Sequence, residues 1–240
     1  MRSASPIPAH FAPLFSRTTL RTAGLLGALG SLLAACGDFS TAWIDAPPPA
    51  MNTVMWLALG DFVTFLAPKA HHELLIGHYL GVFFIPLNVL GLWHVYLALA
   101  PRSGRAALLF IGAGTFLAAV GGAFHGTVGL AVTAVRAGDA TTLAQAADYF
   151  EPFGWILTVF GGVVFIALAV LIGAGRSVLP RWMALLSPAL TQTWFTLAAP
   201  ALPQPVGVLL LVTGFNVSVC LFLLVSTAVL WRHDPMAGIS

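Results

Sequence analysis

Long apolar runs alternate along the chain with short breaks carrying Pro, Arg or Asp. A helix crossing a bilayer needs about 20 mostly apolar residues. On that measure the pattern predicts six transmembrane helices, over roughly 22–44, 73–100, 106–135, 151–174, 181–199 and 206–231. The breaks have physical markers. Pro101-Arg-Ser-Gly-Arg105 joins charge to helix breakers, Arg176 to Arg181 contains Pro180, and Pro200, Pro203 and Pro205 precede the last run. A further stretch, Met51–Ala67, lies between Pro47-Pro-Pro49 and Pro68 and is interrupted by Gly60-Asp61. It is short for a span and reads as an interfacial or re-entrant helix. The predicted fold is therefore all-α, an integral membrane bundle of six transmembrane helices plus that short helix. Residues 1–21 form an N-terminal tail, 22–232 the membrane domain and 233–240 a C-terminal tail.

Charge placement chooses between six and seven spans. Cytoplasmic loops are enriched in Lys and Arg. Six spans with both termini inside place Arg2, Arg17, Arg21, Arg102, Arg105, Arg176, Arg181 and Arg232 in the cytoplasm, with only Lys69 and Arg136 outside. A spanning Met51–Ala67 would move every later loop to the opposite side and divide these charges evenly. Six spans are preferred, in a bacterial cytoplasmic (inner) membrane.

Composition agrees. Hydrophobic residues make up 59% and charged residues 8%, with mean hydropathy +0.94. A soluble domain carries about 25% charged residues, so lipid is the expected solvent and the expected partner. Two cysteines provide no disulfide framework. Leu33-Ala34-Ala35-Cys36 matches a bacterial lipobox, preceded by Arg17 and Arg21. The apolar run continues past Cys36 to Ile44, however, as an intact first helix requires and a cleaved signal does not.

Helix faces indicate how the spans pack. Small residues let membrane helices approach closely. Gly114, Ala118, Gly122 and Gly126 recur at four-residue spacing in the third span, and Gly27-Ser31-Ala35 and Gly30-Ala34-Asp38 do so in the first. In the second, Glu73, Gly77, His78, Gly81, Asn88 and Gly91 share one broad arc at 3.6 residues per turn. Pro86 predicts a kink near Asn88. Thr213, Asn216, Cys220 and Thr227 form a stripe on the sixth span, and Glu151, Gly154, Thr158 and Gly161 share one side of the fourth.

Ionisable groups within a span are costly and face a protein interior or a wet cavity. Asp38, Glu73, His78, His125 and Glu151 all fall in the outer halves of their helices, with Asn216 slightly deeper and Asn88 deeper still. These seven are the candidate polar-pocket residues. His94, near the inner end of the second span, reads as a satisfied or interfacial histidine.

Carboxylates with imidazoles suit a divalent metal, proton relay, or acid–base catalysis. A hydrogen-bond network fixing helix register would use the same residues. Asp38, His78 and His125 are the metal candidates, although HExxH is absent and the adjacent His71-His72 point to different sides of a helix. No phosphate-cradling loop, GxSxG elbow or basic aromatic patch for nucleic acid occurs. Nothing in the residues names a cofactor or an oligomeric state.

Several local motifs occur together: Gly77-His-Tyr-Leu-Gly81, Gly91-Leu-Trp-His-Val-Tyr-Leu97, Gly121-Gly-Ala-Phe-His125, Pro180-Arg-Trp-Met-Ala-Leu-Leu-Ser-Pro188 and Gly214-Phe-Asn216. As a set they resemble an uncharacterised family of bacterial multi-pass membrane proteins, a domain of unknown function, over most of residues 20–232. The resemblance implies an inner-membrane helical bundle and no activity. A looser likeness is to membrane-embedded metal hydrolases of the ceramidase type, but the chain lacks their paired histidines on one late helix. The expected function is binding or passage of a small or lipidic molecule through an outer polar pocket. The alternatives are a metal-dependent lipid hydrolase using Asp38, His78 and His125, and a purely structural buried network.

Overall fold

The computed structural model describes residues 14, 16–44 and 60–233. Among them the only regular structure is helical. The helices are α1 (Arg17–Ala42), α2 (Gly60–Leu66), α3 (His71–Phe84), α4 (Asn88–Ala137), α5 (Ala140–Trp155), α6 (Gly161–Gly173), α7 (Pro188–Ala198) and α8 (Val206–Val229). Four described segments are long and apolar enough to cross a membrane: Arg17–Ala42, His71–Ala137, Ala140–Gly173 and Val206–Val229.

Local chemistry sets several of these boundaries. The Ser16 hydroxyl accepts the Thr19 amide at 3.1 Å and starts α1 at Arg17, a side-chain N-cap. The first helix thus begins earlier than the hydropathy boundary near residue 22. Between α3 and α4, Ile85–Leu87 forms one 3₁₀ turn around Pro86; the expected irregularity is there, and the helical path continues through it. Gly138, at φ 68°, closes α4 in the left-handed conformation. Asp139 then caps α5 by accepting the Thr141 and Thr142 amides. The expected fourth span at 151–174 is therefore the later part of a longer helical path. That path runs through α5, a π-helical turn at Ile156–Phe160, and α6.

The segment His71–Ala137 folds back on itself. Cβ atoms built on Gly81 and Gly114 would collide with His125 and Leu92, and one on Gly121 would meet Ile85. Each pair is equidistant in sequence from Ser103, whose φ of −153° and ψ of 55° are non-helical. The Pro101–Arg105 break is thus a tight reversal within α4 rather than an open loop. The expected span at 181–199 is not one continuous helix. A 3₁₀ segment, Arg181–Leu186, ends at the extended Ser187, where Pro188 opens α7. Proline suits this first helical position because its missing N–H has no partner there anyway.

α1 is the centre of the packing, against α3, α4 and α8. A Cβ on Gly27 would lie 2.3 Å from Gly91 Cα, one on Gly37 3.0 Å from Gly77 O, and one on Gly30 2.9 Å from Phe84 O. These backbone approaches match the small-residue faces of the first two spans. The third span departs from its expectation. Gly114 packs on Leu92, but a Cβ on Gly122 or Gly126 would meet nothing within 4 Å. Four-residue glycine spacing permits close approach, and among the described residues nothing lies within 4 Å on that side.

One apolar cluster fills the end of the bundle around Leu20, Leu99, Ile172, Met183 and Phe222, and another fills the opposite end around Phe62, Val63, Leu66, Val132 and Phe150. α2, the described part of the expected short helix, buries Phe62, Val63, Phe65 and Leu66 in the second cluster. Residues 51–59 of that expected helix lie outside the described residues. The functional interest lies between the two clusters.

Candidate functional site

Asp38 sits one turn before the end of α1 and is 6% exposed. Its Oδ2 accepts a hydrogen bond from Asn216 Nδ2 of α8 at 2.7 Å. Its Oδ1 lies 3.6 Å from His125 Nε2 of α4. Three sequence-distant candidates therefore meet. The bundle geometry explains how: Gly81 presents no side chain, so the His125 ring lies directly over its backbone, where a Cβ would come within 2.3 Å of His125 Cγ. Nearby, the close approach of Gly37 to Gly77 holds α1 against α3.

His78 joins through a different atom. Its Nδ1 lies 3.0 Å from the His125 carbonyl oxygen. A carbonyl can only accept, so this nitrogen carries the hydrogen and Nε2 is left as the acceptor. Asn88 belongs to a deeper level. Ser31 donates to its Oδ1 at 2.8 Å, and Ser31 is about two helical turns from Asp38 along α1.

The two remaining acidic candidates lie elsewhere. Glu73 Oε1 pairs with Lys69 Nζ at 2.7 Å, and Lys69 also donates to the Trp43 carbonyl at 3.1 Å. Arg136 donates to the Ala67 and Lys69 carbonyls beside them. This group ties down the chain end of the bundle and does not touch Asp38. Among the described residues, no hydrogen bond or ion pair connects Glu151 to the Asp38 group. Similar depth brought Glu73 and Glu151 into the candidate set, but Glu73 is taken up by Lys69, and Glu151 has no bond to the Asp38 group among the described residues.

The Asp38–Asn216–His125 group lines a cavity of about 600 Å³, within the roughly 300–1,000 Å³ typical of ligand pockets. His78 and Asn88 line it too, whereas Glu73 and Glu151 do not. On its other side are Thr158, Gln192, Thr193 and Thr196. Gln192 Oε1 is buried without a hydrogen-bond partner, against Gly214. Sequence reading passed over Gln192. The available signal was the polar run Thr191-Gln192-Thr193, followed by Thr196, within an otherwise apolar stretch.

The metal reading has a specific geometric test. Among the described residues no three His, Cys, Asp or Glu side chains are grouped to hold an ion. His78 turns Nδ1 toward a backbone carbonyl rather than toward the Asp38 carboxylate. The arrangement offers a hydrogen-bond acceptor pair, an amide and two imidazoles, all on the wall of an apolar chamber.

His94 is a separate matter. Nδ1 lies 2.9 Å from the Leu20 carbonyl oxygen and Nε2 2.9 Å from Ser226 Oγ, and the residue is fully buried. Both ring nitrogens are partnered, which makes it a tie between α1, α4 and α8 at the other end of the bundle.

The fold and site define an all-helical protein with segments apolar enough to cross a membrane and a buried carboxylate–amide–imidazole group on a cavity. The chain belongs to the family of unknown function DUF6796, which it matches over residues 15–232. No curated protein and no solved structure matches it.

Proposed function

We propose that this is a six-pass protein of a bacterial inner membrane, with both termini cytoplasmic, that binds or passes a small or lipidic molecule through the cavity at Asp38. Two observations support the passes. The His71–Ala137 segment reverses at Ser103, so it supplies two crossings. α7 and Ala199 run antiparallel to α8, with Gln192 against Gly214 and Ala199 against Gly207, and together with the 3₁₀ piece Arg181–Leu186 this stretch is the proposed fifth crossing. Orientation rests on where the cations lie. Arg102 donates to the Gly175 and Ser177 carbonyls, and Arg176 to Ser103. Arg21 stacks on Trp231 and donates to its carbonyl. Arg21, Arg102 and Arg176 thus lie on the end containing His94, while Lys69 and Arg136 lie on the other. Cation enrichment supports taking the first as the cytoplasmic end.

The observation that carries the functional reading is the position of Asp38. A purely register-fixing network would close on itself in a packed interior. Here the carboxylate, Asn216 and His125 face a chamber large enough for a ligand. The test is thermal unfolding of delipidated protein in detergent, followed by tryptophan fluorescence. Adding total membrane extract should raise the midpoint for the wild type and leave a Gly129→Phe variant unmoved. Gly129 lines the cavity, and a Cβ there would meet nothing within 4 Å, so a ring can be placed on the cavity wall without a clash. No shift in the wild type would refute ligand binding and leave a structural network. The hydrolase alternative has no geometric observation in its favour.

A further inference from the structure

We propose that the ligand is an uncharged, single-chain lipid with a hydroxyl-bearing head, and that it enters sideways from the bilayer between α6 and α7. This rests on the pocket reading above and adds the ligand's chemistry and route.

The route follows from which lining residues face outward. Ile166 is 53% exposed and Phe215 38%, and Thr158 and Thr193 are exposed as well, although all four line the cavity. The mouth therefore lies among these residues. α5 packs on the returning arm of α4 and α7 packs on α8, and α6 reaches across to α8 where Phe165 meets Phe215 at 5.5 Å between ring centroids, so the mouth is a side opening bordered by that contact. Thr158 to Ile166 occupy the middle of the apolar stretch 151–174, and Phe215 is well inside α8. An opening at that depth meets hydrocarbon, not water. Irregular backbone at membrane depth is tolerated where it lines a cavity, and the π-helical turn Ile156–Phe160 lies on this rim. Gly162 lines the cavity beside this rim, and a Cβ there would meet nothing within 4 Å.

The head chemistry follows from charge and hydrogen-bonding capacity. No Lys or Arg is among the described lining residues, so a phosphate or carboxylate head would face Asp38 without a compensating cation. Burial of an unpaired anion is strongly disfavoured. The wall presents acceptors, the unpartnered Gln192 Oε1 and the free ring nitrogen of His78, alongside threonine hydroxyls that donate or accept. An ammonium only donates, whereas a hydroxyl does both. Hydroxyls match the whole set, and the remaining apolar lining takes the chain.

The test uses the full chain, purified and delipidated, and radiolabelled monooleoylglycerol measured by scintillation proximity. Competitors are oleoyl lysophosphatidate, which adds a phosphate to the same skeleton, and free glycerol, which lacks the chain. Saturable binding displaced by unlabelled monooleoylglycerol but by neither competitor is expected. Gln192→Leu should weaken it about five-fold, the loss of one hydrogen bond. Gly162→Phe should abolish it, while the outward control Gly112→Leu, with open space and no place in the cavity, should not. Equal competition by lysophosphatidate overturns the uncharged head. Equal competition by glycerol, or full binding by Gly162→Phe, overturns the chain and the lateral route. No binding of monooleoylglycerol by a protein that membrane extract still stabilises overturns this ligand class alone. If the extract also fails, the pocket reading itself falls.

Discussion

Asn216 donates to the Asp38 carboxylate at 2.7 Å across the α1–α8 interface, between residues 178 positions apart in the chain. An isolated carboxylate at this depth would be costly, and the amide is its shortest contact. Replacing Asn216 with Leu removes the donor and leaves the carboxylate beside His125 alone. Unfolding free energy should fall by about 1–3 kcal/mol, the usual cost of orphaning a buried polar group. Asp38→Asn with Asn216→Leu should recover part of that loss in a double-mutant cycle, measured by denaturant titration in detergent.

Glycines should divide by what lies opposite them. Gly81→Ala drives a methyl into the His125 ring and should cost about 1–3 kcal/mol, the usual range for overpacking. Gly126→Ala enters open space and should be neutral or stabilising by up to about 1 kcal/mol, because helical glycine is less favourable than alanine. Thermal midpoints of the two purified variants decide this. Equal losses would mean that Gly126 packs against something after all.

Cys36 should remain an internal thiol. α1 runs unbroken through it, and residues before it carry Gly27, Gly30 and Ser31 into contact with α3 and α4. Intact mass spectrometry should find the chain N-terminal to Cys36 still attached. A species beginning at a lipidated Cys36 would contradict this and remove most of α1.

The Thr142 hydroxyl, then the Thr142 and Thr141 amides, hold the Asp139 carboxyl below its ordinary range. Its folded-state pKa is thus lower than its unfolded one. The cap therefore contributes fully above the unfolded carboxyl pKa, and its contribution disappears as pH falls through the lower folded value. Amide exchange in the first turn of α5 should accelerate selectively under those acidic conditions. Asp139→Ala should already show the faster exchange at neutral pH.

Hydropathy located the helical runs because the requirement for internally satisfied backbone in lipid leaves few alternatives. Side-chain size also picked out faces of α1 that pack closely, since Gly27 and Gly30 allow backbone approach to Gly91 and Phe84, while Gly37, which meets Gly77, was not singled out. The same rule misassigned Gly122 and Gly126, because an absence of bulk permits contact without supplying a partner. Depth and the small-residue faces put Asp38 and His125 together with Asn216 slightly deeper, and these three meet. Depth could not exclude Glu73, whose nearby Lys69 satisfies it locally, or Glu151, which does not line the cavity. The break at Ser187 and the role of Gln192 depend on how α7 returns along α8, a tertiary fact without a periodic signature. A polar pocket at Asp38 was expected from the sequence, but its apolar extent and its far wall of Thr158, Gln192, Thr193 and Thr196 were not, for the same reason.

If the chamber beside Asp38 holds a ligand, its contents can be weighed. Native mass spectrometry of protein extracted in mild detergent should show one bound amphiphile on the wild type and none on Gly162→Phe, the two proteins having comparable thermal stability once delipidated. Wild-type protein with no added mass, or an equally occupied Gly162→Phe variant, would mean that the chamber is not a ligand site.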